Sequence, residues 1–306
     1  MARATLTANT VLVAVDWNNR WECTVRHAAA RAEALGAALH IVHVIEPPNW
    51  LLRRVLDVAT LESQHANDRA LAEEHLASAR AVAPYVTVTT EVREGKPTTE
   101  LLAALEATGA DLLVLGTDGR DATSILLGGM TERMLRLSPV PVYIANASAP
   151  APVLDVVVPT GLGPSGRKAI EVALGMVEGF SGKVTALHLV ALPSVMRAYS
   201  GDVLAVREKI ETAALDELLT HVASVNTVEG DAPVVPALET NLETVAAEQT
   251  IAARAREHDA QLICLALGGR RFDAGLFIGG VPQRLVRVLP CSLLALPDAW
   301  LATRGD

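Results

Sequence analysis

The apolar run Ile41-Val42 closes on His43-Val44. The pattern returns 145 residues later, as Ala186-Leu187 followed by His188-Leu189. The glycine pair Gly128-Gly129 likewise returns as Gly279-Gly280, 151 residues further on. Landmarks that recur in order at this spacing mark two copies of one structural unit, and the change of offset marks one or more insertions between them. Half of the 306 residues are hydrophobic, enough for two cores. Pro150-Ala151-Pro152 reads as the linker, which sets the expected domains at residues 1–149 and 150–306.

Within each copy, short apolar runs alternate with helical patterns. In the first, strands are expected over 11–15, 39–45 and 85–92, with a helix over 22–35 that Gly36 ends and that Asn18 or Asn19 can cap. Residues 50–82 read as one long helix or two, with Leu52, Val55, Leu56 and Ala59 on one face. Thr98 or Thr99 can cap a helix over 100–108. The unit from Asp111 to Ala145 follows as strand, glycine loop, helix (130–137) and strand. The second half repeats the order, with strands over 154–158, 183–190, 233–238, 261–267 and 291–296. Strand–helix alternation of this kind implies a parallel sheet covered on both faces. Ligands of such sheets sit beyond the carboxyl ends of the strands, where the strand order reverses. Asp16, Val44 and Gly116 all fall at such ends, and Asp16 faces the glycine loop if the first and fourth strands are neighbours.

Several function classes are disfavoured by composition. A net charge of −9 with no Lys/Arg cluster argues against a nucleic-acid partner, and 3% aromatic residues leave little for base stacking. Cys23, Cys264 and Cys291 are isolated, which suits neither a zinc site nor a redox dithiol and fits a reducing cytoplasm. No apolar run approaches the ~20 residues of a membrane span, and residues 1–10 lack the apolar core of a signal peptide.

The residues that carry a family likeness are Val-Leu-Val-Ala-Val-Asp (11–16), Ala-Leu-His-Ile-Val-His-Val-Ile (38–45), Val-Arg-Glu-Gly-Lys-Pro (92–97), Gly-Ala-Asp-Leu-Leu-Val-Leu-Gly-Thr-Asp-Gly (109–119) and Thr-Glu-Arg-Met-Leu-Arg-Leu-Ser-Pro-Val-Pro-Val (131–142). In these the chain resembles a tandem universal stress protein. The resemblance implies two flavodoxin-like α/β domains of the adenine-nucleotide-binding superfamily, each with five parallel strands. It also implies pairing of the two domains through their last strands as an internal pseudo-dimer, and leaves a homodimer open. One branch of the family binds ATP and another does not. By match of position, Asp16 and Val44 would lie beside the adenosine, and Gly116, Gly119, Gly128 and Gly129 along the ribose and phosphates. The implied ligand is ATP or AMP, with Mg²⁺ if ATP is bound.

The match to the ATP-binding motif G-x2-G-x9-G-[ST] is incomplete. Gly116 and Gly119 fit, but nine further residues lead to Gly129 followed by Met130. Anchoring instead on Thr131-Glu132-Arg133 makes Gly128 the motif glycine and puts Gly129 where the hydroxyl belongs. Either way one phosphate contact is lost while backbone donors remain, so binding would be weakened rather than abolished. Asp118 brings negative charge beside the phosphates, or a metal contact. In the second half Gly161 replaces the acidic residue, and Arg270 and Arg271 replace much of the loop's glycine character, so that half reads as a degenerate copy.

Other signals carry less. Gly161-x-Gly163-x-x-Gly166 has the spacing of a dinucleotide fingerprint, yet Val190-Ala191-Leu192 supplies no acid at the next strand's end. Asp16 reads equally as a turn residue or as a contact to nucleotide or Mg²⁺. His40 and His43, three apart on a strand, point to opposite faces and read as packed, hydrogen-bonded side chains. No nucleophile elbow, P-loop or general base is found. The expectation is a cytoplasmic stress-type protein whose first half binds an adenine nucleotide weakly as a regulatory ligand. The alternatives are a scaffold that binds protein partners without nucleotide, and a slow ATPase.

Overall fold

The computed structural model describes residues 3–17, 20–48, 54–117, 129–146, 152–177, 182–192, 203–242, 246–267 and 280–304. The chain divides into two compact units, Thr7–Pro150 and Met1–Leu6 with Ala151–Asp306. The first unit holds strands β1 (Thr10–Ala14), β2 (Ala38–Ile45), β3 (Val88–Glu94), β4 (Leu112–Gly116) and β5 (Val142–Ala145). They lie in the order β3-β2-β1-β4-β5, every neighbouring pair parallel. Helices α1 (Trp21–Leu35), α2 (Val58–Val82), α3 (Pro97–Thr108) and α4 (Gly129–Leu137) alternate with them.

The second unit repeats the plan. Strands β6 (Asp155–Pro159), β7 (Lys183–Leu192), β8 (Val234–Leu242), β9 (Leu262–Ala266) and β10 (Ser292–Leu296) lie in the order β8-β7-β6-β9-β10, and the pairs β6/β7, β7/β8, β6/β9 and β9/β10 are parallel. Its helices are α5 (Pro164–Met176), α6 (Val203–Ala223), α7 (Ala247–Glu257), α8 (Val281–Val286) and α9 (Asp298–Ala302). Each unit is thus a flavodoxin-like α/β domain.

The central strands read as unbroken apolar runs because both of their faces are covered. Val11, Leu12 and Val13 of β1 have no exposed surface, nor do Leu112, Leu113 and Val114 beside them on β4. Gly36 ends α1 as expected, with φ 64°, and its N–H reaches back to the carbonyls of the last turn.

Local details differ from the sequence expectations at helix starts. The N-cap of α1 is Arg20, which makes no side-chain cap, rather than Asn18 or Asn19. Lys96 is the N-cap of α3, and Pro97 begins the helix, so Thr98 and Thr99 lie inside its first turn. The helical stretch after Pro48 is broken. Leu56 and Asp57 interrupt it, and Asp57 caps α2 by accepting the Thr60 N–H at 2.7 Å. The break shifts the helical phase, so Val55 and Ala59 are exposed and α2 instead packs through Ala72, Leu76 and Ala79. Because α2 runs to Val82, β3 starts only at Val88, and Tyr85 is left exposed before it. Trp50 and Leu52 lie outside the described residues.

The N-terminal segment is built into the second unit. Arg3 donates both Nη1 bonds to Asp231, at 2.7 and 2.8 Å, and its Nε bonds the Glu171 carbonyl. Glu171, on α5 and 1% exposed, accepts from the Ala4 N–H at 2.8 Å and from Asn226 N and Nδ2 at 3.1 and 2.9 Å. A buried carboxylate is tolerated because its oxygens are filled by donors. Replacing Glu171 by Ala should therefore lower the stability of the second unit by about 2 kcal/mol, the cost of stranding buried donors. In urea unfolding followed by domain-resolved hydrogen exchange, the second unit should open earlier and the first should be unchanged.

Candidate functional site

The chain builds β1, β2 and β3 to one side and then returns to lay β4 and β5 on the other, so β1 and β4 are neighbours from which the chain leaves in opposite directions. This is the switch point where a crevice opens at the carboxyl ends of the strands. Val15 still bonds the Val42 carbonyl, and Asp16 follows it as an exposed residue. Val44 is half-buried near the end of β2, Gly116 is the last residue of β4, and Gly129 is the first of α4. Of the residues singled out in the sequence, Asp16, Val44 and Gly116 thus share one end of the sheet. Gly119, Gly128 and Asp118 lie outside the described residues. Gly116 already has a packing reason to lack a side chain: a β-carbon there would collide with Oγ1 of Thr24 on α1.

The turn that carries Asp16 is held from behind by an aromatic cluster that the sequence reading did not assemble. The Nδ1–H of His43 donates to the Val15 carbonyl at 2.8 Å, which fixes which ring nitrogen carries the proton. The Trp17 ring centroid lies 5.2 Å from that of His43, 4.8 Å from that of His75 on α2, and 5.6 Å from that of Trp21, which it meets edge to face. Trp17 Nε1 and His75 Nδ1 are buried and find no hydrogen-bond partner among the described residues. Their sequence separation explains why they were missed: residues 17, 43 and 75 meet only once strand and helix are in place.

The second unit keeps the histidines and changes what lies between them. His188 Nδ1 donates to the Thr160 carbonyl at 2.9 Å, repeating the His43 bond. His221 on α6 stands 146 residues after His75 and places Nε2 3.2 Å from Thr160 Oγ1. Thr160, the counterpart of Val15, thus brings a hydroxyl to His221 where the first unit sets Trp17 against His75, and Gly161, exposed, stands where the first unit has Asp16. Of Gly161, Gly163 and Gly166, only Gly166 has a neighbour that requires glycine, while a β-carbon on Gly161 or Gly163 would meet open space. A β-carbon on Gly166 would collide with Thr160 Oγ1, so the third glycine is needed for close helix–strand packing.

His40, on the other face of β2, bonds Thr89 Oγ1 at 2.7 Å and Glu91 Oε2 at 3.2 Å. Burial pushes the Glu91 carboxyl up, but hydrogen bonds and charge from Arg93 and His40 outweigh this and hold it low. The cysteines are free thiols, and complete burial pushes Cys264 far up. Among the described residues no three His, Cys, Asp or Glu side chains are grouped to hold a metal, and no helix is long and apolar enough to cross a membrane.

His221 is held below its ordinary 6.5 by desolvation first, then by repulsion from His188 and Arg167. A depressed histidine favours the neutral folded state. As pH falls below 6.5 the unfolded chain takes up this proton first, and stability is lost until the folded ring also titrates. Urea midpoints of the second unit should accordingly fall between pH 7.5 and 5.5, and His221→Asn should flatten that part of the profile.

Comparison with known proteins bears on both halves. The sequence profile of the Universal stress protein family matches residues 7–146 and again 154–297. A Thermus aquaticus protein described as a universal stress protein in the QAH/OAS sulfhydrylase 3′ region is 29% identical over 139 residues, 45% of this chain and 98% of its own. The crystal structure of a universal stress protein from Archaeoglobus fulgidus superimposes with a TM-score of 0.64, at 17% identity over 99% of both chains. A putative universal stress protein from Pseudomonas aeruginosa gives a TM-score of 0.58 at 17% identity, over 96% of this chain and 95% of its own.

Proposed function

The chain belongs to the universal stress protein family, and on that premise we propose that its first unit binds an adenine nucleotide, ATP or AMP, as a regulatory ligand. The observation that carries this reading is the exposed Asp16 at the β1/β4 switch point, on a turn braced by His43 and Trp17. A carboxylate there accepts from ribose hydroxyls or an adenine amino group. Val44 contributes apolar contact to the base, and Gly116 and Gly129 line the path to the phosphates. The N-terminus of α4, nine residues long, supplies backbone donors and positive potential for an anion. The second unit lacks the acid, because Gly161 stands in the place of Asp16. One nucleotide per chain follows.

Isothermal titration of the full chain with MgATP should give a stoichiometry near one. Asp16→Ala should weaken binding by at least about tenfold, the value of one hydrogen bond to a charged group. No heat and no thermal shift with millimolar MgATP would refute the reading. Steady phosphate release that vanishes in Asp16→Ala would instead make the protein a slow ATPase.

A further inference from the structure

The turn that follows β6 holds Leu162 in a conformation that few side chains adopt. Its φ is 57°, in the left-handed region, and it stands between Gly161 and Gly163. Such a backbone persists in a residue other than glycine only where neighbouring contacts hold it. Here the contact is Thr160, whose Oγ1 accepts the Leu162 N–H at 3.3 Å. Thr160 is itself fixed through its main chain. Its N–H donates to the Leu187 carbonyl at 2.8 Å, and its carbonyl accepts from His188 Nδ1 at 2.9 Å.

Thr160 is 3% exposed, so its hydroxyl hydrogen needs an acceptor inside the protein. Among the described residues Oγ1 meets two groups, the Leu162 N–H, which is a donor, and His221 Nε2 at 3.2 Å. The hydroxyl is satisfied when it donates to Nε2, which puts the proton of the neutral ring on Nδ1. One chain of hydrogen bonds thus runs from His221 through Thr160 to Leu162. Protonating His221 reverses its first link. Nε2 then carries a hydrogen of its own, directed at the hydroxyl hydrogen. The Thr160 side chain must turn away, and the Leu162 N–H loses its acceptor. Burial, then repulsion from His188 on β7 and Arg167 on α5, opposes this protonation and keeps the ring neutral to below its ordinary 6.5.

We propose that residues 160–163 form a pH-gated hinge, in which neutral His221 locks Leu162 in its left-handed conformation through Thr160 and protonated His221 releases it. The first unit lacks this chain. Val15, the counterpart of Thr160 at an offset of 145, has no hydroxyl, and Trp17, the counterpart of Leu162, lays its ring against His75 instead. Gly161 stands where the first unit has Asp16, so release reshapes the carboxyl end of the second unit's sheet beside the β6/β9 switch point.

Nuclear magnetic resonance of the full chain between pH 7.5 and 5.5 tests this. Nitrogen–proton correlation spectra of the histidine rings should show His221 with its proton on Nδ1 at pH 7.5. The Leu162 amide should shift with the same midpoint as the His221 ring, below 6.5. Its hydrogen-exchange protection should fall by about tenfold, the value of one hydrogen bond, while Val157 inside β6 keeps its protection. Thr160→Val should remove the Leu162 response and leave the His221 ring titrating, and Thr160→Ser should keep both. A proton on Nε2 at pH 7.5, separate midpoints, or an unchanged Leu162 response in Thr160→Val would overturn the proposal. Equal loss of protection at Val157 would also overturn it, because the whole unit would then be opening. If Thr160→Val does not fold, the two midpoints in the unaltered protein decide.

Discussion

A parallel sheet must have both faces covered, and most of this structure follows from that requirement. Covering β1 and β4 with helices on each side leaves only the ends of the strands open to water. In each unit the turn after the central strand is clamped by a histidine from the neighbouring strand. His43 holds the Val15 carbonyl and His188 the Thr160 carbonyl at nearly the same distance. The bond satisfies a main-chain acceptor at the carboxyl end of the central strand and fixes the direction in which the next residues leave. In the first unit those residues are Asp16 and Trp17.

Duplication has let the two copies diverge around this shared clamp. The first keeps an exposed carboxylate, Asp16, after the strand. The second has Gly161 in place of the acid, a Thr160–His221 contact in place of the indole stack, and Glu248 against Arg284. The second unit thus satisfies His221 and Arg284 by contacts within itself. The second unit also takes up the N-terminal segment through Arg3, Asp231 and Glu171, so its stability depends on residues at the far end of the chain.

Much of the fold was legible because its signals are local. Apolar β-branched runs such as Val11–Val13 and Leu112–Val114 mark buried strands, and Gly36 marks a helix end. The errors were also local in kind. Asn18, Asn19, Thr98 and Thr99 are good capping residues, but a cap is chosen by where the helix starts, and Pro97 and the approach from β1 decided that. Residues 50–82 were read as one helix or two, and the Asp57 cap makes the break that takes Val55 and Ala59 off the packed face.

The sequence by itself determined the duplication, the alternating α/β architecture, the family, and the place of Asp16, Val44 and Gly116 at strand ends. These depend on periodicity and on residues close together in the chain. Only the tertiary structure decided what those residues meet. It set Trp17 between His43 and His75, explained Gly116 and Gly166 by the threonines packed against them, and paired Glu248 with Arg284. Such contacts join residues tens of positions apart. Their energies come from burial and charge proximity, which no local pattern encodes.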